Sequence, residues 1–419
     1  MNLISLLLYD LGIKIYFSGI ALASLWSPKA KAWLRGRKNL FEQIKVSLKP
    51  GEYRAWFHCA SAGEFEQGRP VIEAYKKCWP AHRIVLTFFS PSGYELRKNY
   101  SNADYIFYLP LDTRINARKF IELVQPRLAL FVKYEFWIHH LRELEKNSIP
   151  SLLISAVFRP HQIFFRWYGK IFRDALQLFR RLFVQDDDSL KLLHSIRINQ
   201  AEVAGDTRFD RVWEISGSPK QLPLIEKLKS ERKLFVAGST WHEDEELLAQ
   251  LISSNTPGWS WVIVPHEIDA HHLSQLKNRF SGKAVLYSEA TGHNLASSAI
   301  LIVDKIGFLS SIYSYAEMAY IGGGFGKGIH NTLEAAVYGI PVIFGPNYQK
   351  FNEAKDLLKR GAAVSVKTEA ELLSAFQLFS SQDKAAFSKN KSFVKEKTGA
   401  TEKIIKYIEK NAERIQQIF

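Results

Sequence analysis

The chain has 419 residues, 47% of them hydrophobic, with 28 Phe and 10 Trp, which is ample for two buried cores and excludes a disordered or fibrous chain. Lys and Arg number 56 against 42 Asp and Glu, a formal charge of +14 that favours anionic partners: nucleic acid, an anionic membrane or a phosphorylated substrate. Two cysteines, Cys59 and Cys78, exclude a disulfide framework, and no Cys/His spacing matches a zinc site.

Residues 3–26 (LISLLLYDLGIKIYFSGIALASLW) are mostly apolar but carry Asp10 and Lys14. Their length suits a membrane segment, spanning or lying in the interface. An ordinary buried first helix is the other reading. Lys29, Lys31, Arg35, Arg37 and Lys38 follow, as expected for the cytoplasmic side with its anionic lipids. No basic leader precedes the apolar run, so a removable signal peptide is not expected. Residues 1–38 thus read as a membrane anchor with a basic flank.

Residues 39–212 read as one α/β domain. Strands are predicted at 53–58, 83–88, 105–108, 128–132, 151–155 and 181–184, alternating with helices, one of them over 65–77. Such alternation predicts a parallel, doubly wound sheet that binds ligands beyond the carboxyl ends of its strands. The stretch Ser61-Ala62-Gly63-Glu64 sits at such an edge. Glu64 reads either as a general base facing a ligand or as a first-turn helix glutamate favoured by the dipole. Lys133-Tyr134-Glu135 offers a second carboxylate beside a cation, and 155–159 brings Ser155 and Arg159 to the same edge. Asp186-Asp187-Asp188 reads as a helix cap rather than a metal site. The pairs His139-His140 and His271-His272 read as surface or packing residues.

Gly217, Pro219 and Pro223 mark 213–228 as a linker. A second α/β domain is predicted over 229–393, with strands at 233–237, 261–264, 284–287, 299–303, 318–321 and 342–344. The central cleft between the two Rossmann-like domains is the expected place for a nucleotide and a second substrate. Gly238-Ser239-Thr240 reads as amides and hydroxyls for a phosphate or as an ordinary capped turn. Pro265-His266 lies at the corresponding edge of the next strand. Gly322-Gly323-Gly324 makes a turn in which no Cβ blocks a ligand, before a helix over 333–337 that Asn331 or Thr332 caps. His330, Asn331 and Glu334 gather at that helix start, the acid being better placed for ribose hydroxyls than for phosphate. The stretch is therefore expected to bind a nucleotide. A dinucleotide fingerprint is excluded, because Lys327 and Ile329 stand where its third glycine is needed. The tail, 394–419, is helical and a candidate to pack back on the first domain.

The order of these motifs resembles the 3-deoxy-D-manno-octulosonic acid (Kdo) transferases of lipopolysaccharide synthesis, the lipid A Kdo transferases of glycosyltransferase family 30, over nearly the whole chain. The family's His-x-x-Ser-x-Gly-Glu signature stands as His58 to Glu64, its Gly-Asn-x-Lys-Phe-Asp segment as Gly205-Asp206-Thr207-Arg208-Phe209-Asp210. Its nucleotide-side motifs are matched by Gly238-Ser239-Thr240, Pro265-His266, Gly322-Gly323-Gly324-Phe325 and His330-Asn331-x-x-Glu334. The chain departs at Lys133-Tyr134-Glu135-Phe136-Trp137, where the family usually carries two acids, at Ser155 to Arg159, at Asp206 and Arg208, and at Pro265-His266-Glu267.

The resemblance implies a GT-B fold and an inverting transfer of Kdo from CMP-Kdo to a lipid A precursor, lipid IVA, at the cytoplasmic face of the inner membrane. It implies Glu64 as the catalytic base. Gly238, Ser239, Thr240, Pro265, His266, Gly322, Gly323, Gly324, Asn331 and Glu334 are the expected donor-binding residues. Ser61, Gly63, Lys133, Glu135, Arg159 and Arg208 are candidates for phosphate or acceptor contacts. No metal and no cofactor are expected, and no nucleic acid. A GT-B enzyme using a UDP-sugar and a membrane-attached nucleic-acid binder are the alternatives.

Overall fold

The computed structural model describes residues 3–230, 232–254, 257–280, 283–291, 294–295 and 298–411. The chain divides into two compact units, one holding the residues up to Asp210 and those from Thr398, the other running from Arg211 to Lys397. Both are built on a seven-stranded parallel sheet, so the chain has the two Rossmann-like α/β domains of the expected GT-B class.

Unit 1 opens with three helices, α1 (Leu3–Ala23), α2 (Pro28–Gly36) and α3 (Leu40–Ser47). Its strands are β1 (Arg54–Cys59), β2 (Arg83–Phe88), β3 (Tyr105–Tyr108), β4 (Pro126–Val132), β5 (Ser151–Ala156), β6 (Arg181–Val184) and β7 (Ala201–Val203), in the order β3-β2-β1-β4-β5-β6-β7. Between them run α4 (Ala62–Cys78), α5 (Pro91–Arg97), α6 (Arg114–Val124) and α7 (Ile138–Lys146). The central strands are apolar end to end because both faces are covered. Trp56, Phe131 and Leu153 face one layer, Phe57, Leu130 and Ile154 the other. The C-terminal helix Ala400–Lys410 adds Ile404, Ile405 and Ile408 to the second layer. Asp210 caps it, accepting from Gly399 N at 2.6 Å and Thr401 N at 2.7 Å.

Unit 2 holds β8 (Lys233–Thr240), β9 (Trp259–Pro265), β10 (Ala284–Leu286), β11 (Ile300–Ile302), β12 (Met318–Ile321), β13 (Val342–Phe344) and β14 (Ala363–Ser365), in the order β10-β11-β9-β8-β12-β13-β14. Phe235, Trp261, Tyr320, Ile343 and Phe376 share its core.

Every predicted strand is present, with ends shifted by up to three residues. The edge strands β7 and β14 were not predicted: three residues each, they carry too short an apolar run to stand out. The stretch 213–228 is not an extended linker. Residues up to Ser216 complete the helix Thr207–Ser216, and Pro223 starts the helix Pro223–Lys229, where a first-turn proline is well tolerated. The predicted helix at 333–337 is the single turn Leu333–Ala336.

Candidate active site

In unit 1 the strand order reverses at β1 and β4, which are neighbours with His58 opposite Phe131. The carboxyl ends at such a switch point are where open α/β sheets bind ligands. The first turn of α4, which follows β1, carries Glu64, and the loop that follows β4 carries Glu135.

Glu64 and Ser61 form a capping box at the start of α4. The carboxylate accepts from Ser61 N at 3.0 Å, and Glu64 N donates to Ser61 Oγ at 3.4 Å. Glu64 is thus a first-turn capping glutamate, and its carboxyl lies at the edge where such sheets bind ligands. Burial and the negative charge of Glu135 push its pKa up to about 7, against the opposing pull of Lys133 and of backbone N–H groups. A carboxyl poised near neutrality suits a general base. Gly63 beside it is exposed, and a Cβ there would meet only Ser61 Oγ at 3.9 Å, leaving open space for a ligand.

Glu135 is buried and fixed, which argues against its being a mobile base. Trp137 Nε1–H donates to its Oε2 at 2.6 Å, and His58 Nε2 lies 3.0 Å from the same oxygen. Thr87 Oγ1 accepts from Trp56 Nε1 at 2.8 Å and lies 2.8 Å from His58 Nδ1. Trp137 Nε1 also lies 3.0 Å from His58 Nε2. Lys133 stands at φ 69°, a left-handed backbone that a non-glycine residue adopts only under constraint. The Tyr134 side chain next to it feels the charges of Arg159, Asp186 and Glu64, so Arg159 shares this edge.

Other candidates have structural duties. Arg208 Nε and Nη2 donate to Asp206 Oδ2 at 2.9 and 2.7 Å, a bidentate pair that competes with any phosphate contact. Ser155 is buried, with its hydroxyl 3.0 Å from Thr207 Oγ1. Asp186 caps a helix, accepting from Ser189 N at 2.7 Å. His140 is buried against Asp112, and His139 pairs with Asp10 at 2.6 Å, so both are packing residues.

Unit 2 repeats the arrangement. β8 and β12 are neighbours at its switch point, with Gly238 opposite Ile321. The glycines there face the chain itself rather than an open ligand space. A Cβ on Gly322 would lie 2.3 Å from Ser239 O, one on Gly324 2.5 Å from Gly345 Cα, and Gly323 has φ +88°. Gly238 is closed off by Tyr313 Oη at 2.0 Å from a Cβ. The phosphate reading of 238–240 also weakens. Thr240 donates its hydroxyl proton to the buried Glu245 at 3.0 Å, and Glu243, Asp244 and Glu245 fill the first turn of the helix His242–Ser253. The single-turn helix after Asn331 is too short to build a dipole, so anion binding there falls to individual N–H groups.

Asp244 organises this edge. Its Oδ2 accepts from Gly323 N at 2.8 Å and Trp241 N at 2.9 Å, and its Oδ1 from Tyr320 Oη at 2.7 Å. Burial raises its pKa. Trp241, His266 and His330 form an aromatic platform: Trp241 stacks on His266 with centroids 4.6 Å apart, and His266 and His330 are 4.5 Å apart. Burial, then the charge of His266, pull His330 down to about 4. It is neutral, accepts from Trp241 Nε1 at 3.0 Å on Nε2, and carries its proton on Nδ1. Pro265 ends β9 and points His266 here, while His266 N donates to Thr240 O at 2.9 Å. Asn331 Nδ2 donates to Glu334 Oε1 at 3.1 Å, and Asn331 Oδ1 accepts from Leu333 N. Asn331 is thus the cap, while Thr332 makes no side-chain cap bond. Glu334 is half-buried, a placement that suits a hydroxyl donor.

Asp244 and Trp241 escaped the sequence reading. The spacing Trp241-x-x-Asp244 repeats that of Ser61-x-x-Glu64 and was the available signal. Among the described residues, no group of three or more His, Cys, Asp and Glu is placed to hold a metal ion.

Residues 34–211 match the family model described as 3-deoxy-D-manno-octulosonic-acid transferase. The chain is 31% identical over 335 residues to the 3-deoxy-D-manno-octulosonic acid transferase of Aquifex aeolicus, covering 78% of this chain and 86% of that one. It is 26% identical over 402 residues to that of Rickettsia prowazekii, covering 92% and 83%. Among solved structures, UDP-GlcNAc 2-epimerase from Neisseria meningitidis matches with a TM-score of 0.57 at 15% identity, over 85% of this chain and 100% of that chain. The UDP-GlcNAc 2-epimerase of Methanocaldococcus jannaschii matches with a TM-score of 0.56 at 16% identity, over 85% and 99%. At such identities these two matches speak for the fold alone.

Proposed function

The chain belongs to the 3-deoxy-D-manno-octulosonic acid transferases, and from that premise we propose that it moves Kdo from CMP-Kdo onto a hydroxyl of a lipid A precursor, lipid IVA, with inversion. The observation that carries the reading is Glu64, a carboxyl at the β1/β4 switch point with its pKa raised to about 7. Glu64 takes the proton of the acceptor hydroxyl as that oxygen attacks the anomeric carbon. The bond to the CMP phosphate breaks on the opposite side, and CMP leaves with the electron pair.

Glu334, set by Asn331, accepts hydroxyl donors of the CMP ribose. Trp241, His266 and His330 supply ring faces and the Nδ1–H of a neutral imidazole. Lys133 and Arg159 at the unit 1 edge suit an acceptor bearing phosphates. The scheme uses no divalent metal, so EDTA is expected to leave the rate unchanged. The apolar α1 and its basic flank would keep the protein at the cytoplasmic face of the inner membrane, among anionic lipids.

The test is incubation with CMP-Kdo and lipid IVA, followed by mass spectrometry of the lipid and assay of released CMP. Lipid gaining whole Kdo units supports the reading. CMP release with an unmodified lipid removes the acceptor assignment, and a product formed from a UDP-sugar instead removes the donor assignment.

A further inference from the structure

At the edge of the unit 1 sheet opposite Glu64, the fold leaves an open cavity of about 960 Å³. All strands of this sheet run parallel, so the starts of β5 and β6, which wall the cavity, stand one strand length, roughly 20 Å, from the carboxyl ends that carry the candidate active site. The floor is apolar: Ile149, Leu152 and Phe179 belong to the unit 1 core. Ser151 Oγ donates to Leu178 O and Gln200 Nε2 to Leu176 O, both at 3.2 Å, which ties the wall to the end of the helix Lys170–Gln177. Tyr407, on the helix Ala400–Lys410, closes a further side, its ring edge-on to Phe183 with centroids 5.4 Å apart. A preformed cavity of this size over an apolar floor is what small-molecule sites require.

Arg180 and Arg197 line this cavity, and among the described residues neither side chain makes a hydrogen bond or an ion pair. The next arginine along the chain, Arg181, is by contrast paired with Glu202 at 2.5 Å. Against the two arginines stands one acid among the lining residues, Glu145, so the lining carries net positive charge. Arg197 also sits in a place that its backbone disfavours, at φ 63°, and Ser148 across the cavity is at φ 56°. Arg197 N donates to His194 O and Ile198 N to Leu193 O, both at 3.0 Å, while Ser148 N donates to Glu145 O at 2.9 Å and Ile149 N to Leu144 O at 2.8 Å. Each helix thus ends in a Schellman turn, in which glycine usually takes the left-handed position. Glycine at 197 would keep both backbone bonds. An arginine there costs stability and makes no polar contact among the described residues, the pattern of a side chain that serves something outside the fold.

We infer that this cavity is a second binding site, which takes a small anion joining a phosphate or carboxylate to an apolar group. The planar guanidinium forks of Arg180 and Arg197 suit either oxyanion, and the floor of Ile149, Leu152 and Phe179 covers the apolar part. A bare anion would leave that floor in water. The cavity shares no residue with the edge that carries Glu64, and a strand length of sheet separates the two.

Calorimetric titration of the full chain with phenyl phosphate, which joins a ring to a dianion, tests the inference. Phenyl phosphate is expected to bind about tenfold or more tighter than inorganic phosphate or phenol, and saturating CMP should leave its affinity unchanged. Arg180→Gln and Arg197→Gly should each weaken it by about tenfold or more. Arg197→Gly should also melt about 2 °C or more above the parent, since glycine relieves the left-handed position, which separates lost binding from lost folding. Should that variant fail to fold, Arg180→Gln alone decides. No binding, binding abolished by CMP, or an affinity unchanged in either variant overturns the inference. Inorganic phosphate binding as tightly as phenyl phosphate overturns it too, leaving a bare basic patch.

Discussion

His58 Nε2 stands 3.0 Å from Glu135 Oε2, and that contact helps to hold the carboxyl beside Glu64 in one position. Trp137 donates to the same carboxylate oxygen at 2.6 Å, so the Glu135 side chain is fixed in place. Burial, and after it the negative charge of Glu135, raise the energy of ionising Glu64 and bring that carboxyl to about 7. The two carboxyls are held differently: Glu135 by Trp137 and the His58 contact, Glu64 by the backbone N–H of Ser61.

Glu64→Gln should lower the transfer rate by about 10²–10⁴-fold, the usual worth of a general base. Thermal shifts with CMP should be unchanged. Full activity with normal CMP binding removes the assignment.

The same substitution should stabilise the fold in alkali. The folded carboxyl titrates near 7, above its ordinary value of 4.5, so its contribution to stability is full below the ordinary value and is lost as pH rises through 7. At about pH 8.5 Glu64→Gln should therefore be more stable than the parent by on the order of 2 kcal/mol, and near pH 4 the two should melt together. Parallel melting curves at both pH values check this.

The pH–rate profile should rise through about 7 on its acid limb. In Glu135→Gln the neighbouring negative charge is gone and the limb should move to lower pH. A limb that stays in place would show that burial alone sets the Glu64 value.

Two glycines should part company. Gly322→Ala forces a Cβ against Ser239 O and should cost several kcal/mol, roughly the range of severe steric substitutions. Gly63→Ala meets open space on a helix and should fold at least as stably as the parent. Any activity it loses then measures how closely a ligand approaches the Glu64 turn. Denaturant titration beside rate assays separates the two effects.

Asp244→Ala leaves Gly323 N, Trp241 N and Tyr320 Oη without their acceptor. Stability should fall by about 3 kcal/mol or more, since each buried donor loses its partner. Donor binding should weaken with it, because the glycine turn and the aromatic platform share this carboxylate. Asp244→Asn, which keeps part of the geometry, should lie between.

The amino-acid sequence by itself determined the two parallel α/β domains, because a buried parallel strand must be an uninterrupted apolar run and its crossover helix must be amphipathic. It also marked Glu64 as a first-turn glutamate at a strand end, since Ser-x-x-Glu is local chemistry that reads without coordinates. It set α1 apart by hydropathy. What only the tertiary structure decided depends on residues far apart in the chain. Gly322 is a glycine because Ser239 lies against it. Glu135 is held in place because His58, 77 positions earlier, reaches it. Asp112 sits alone in a loop, yet it gathers Tyr9, His139 and His140 around one buried carboxylate. Local patterns record what a segment needs from its own backbone; a buried polar group is satisfied by whichever partner the fold brings, and no spacing along the chain encodes it.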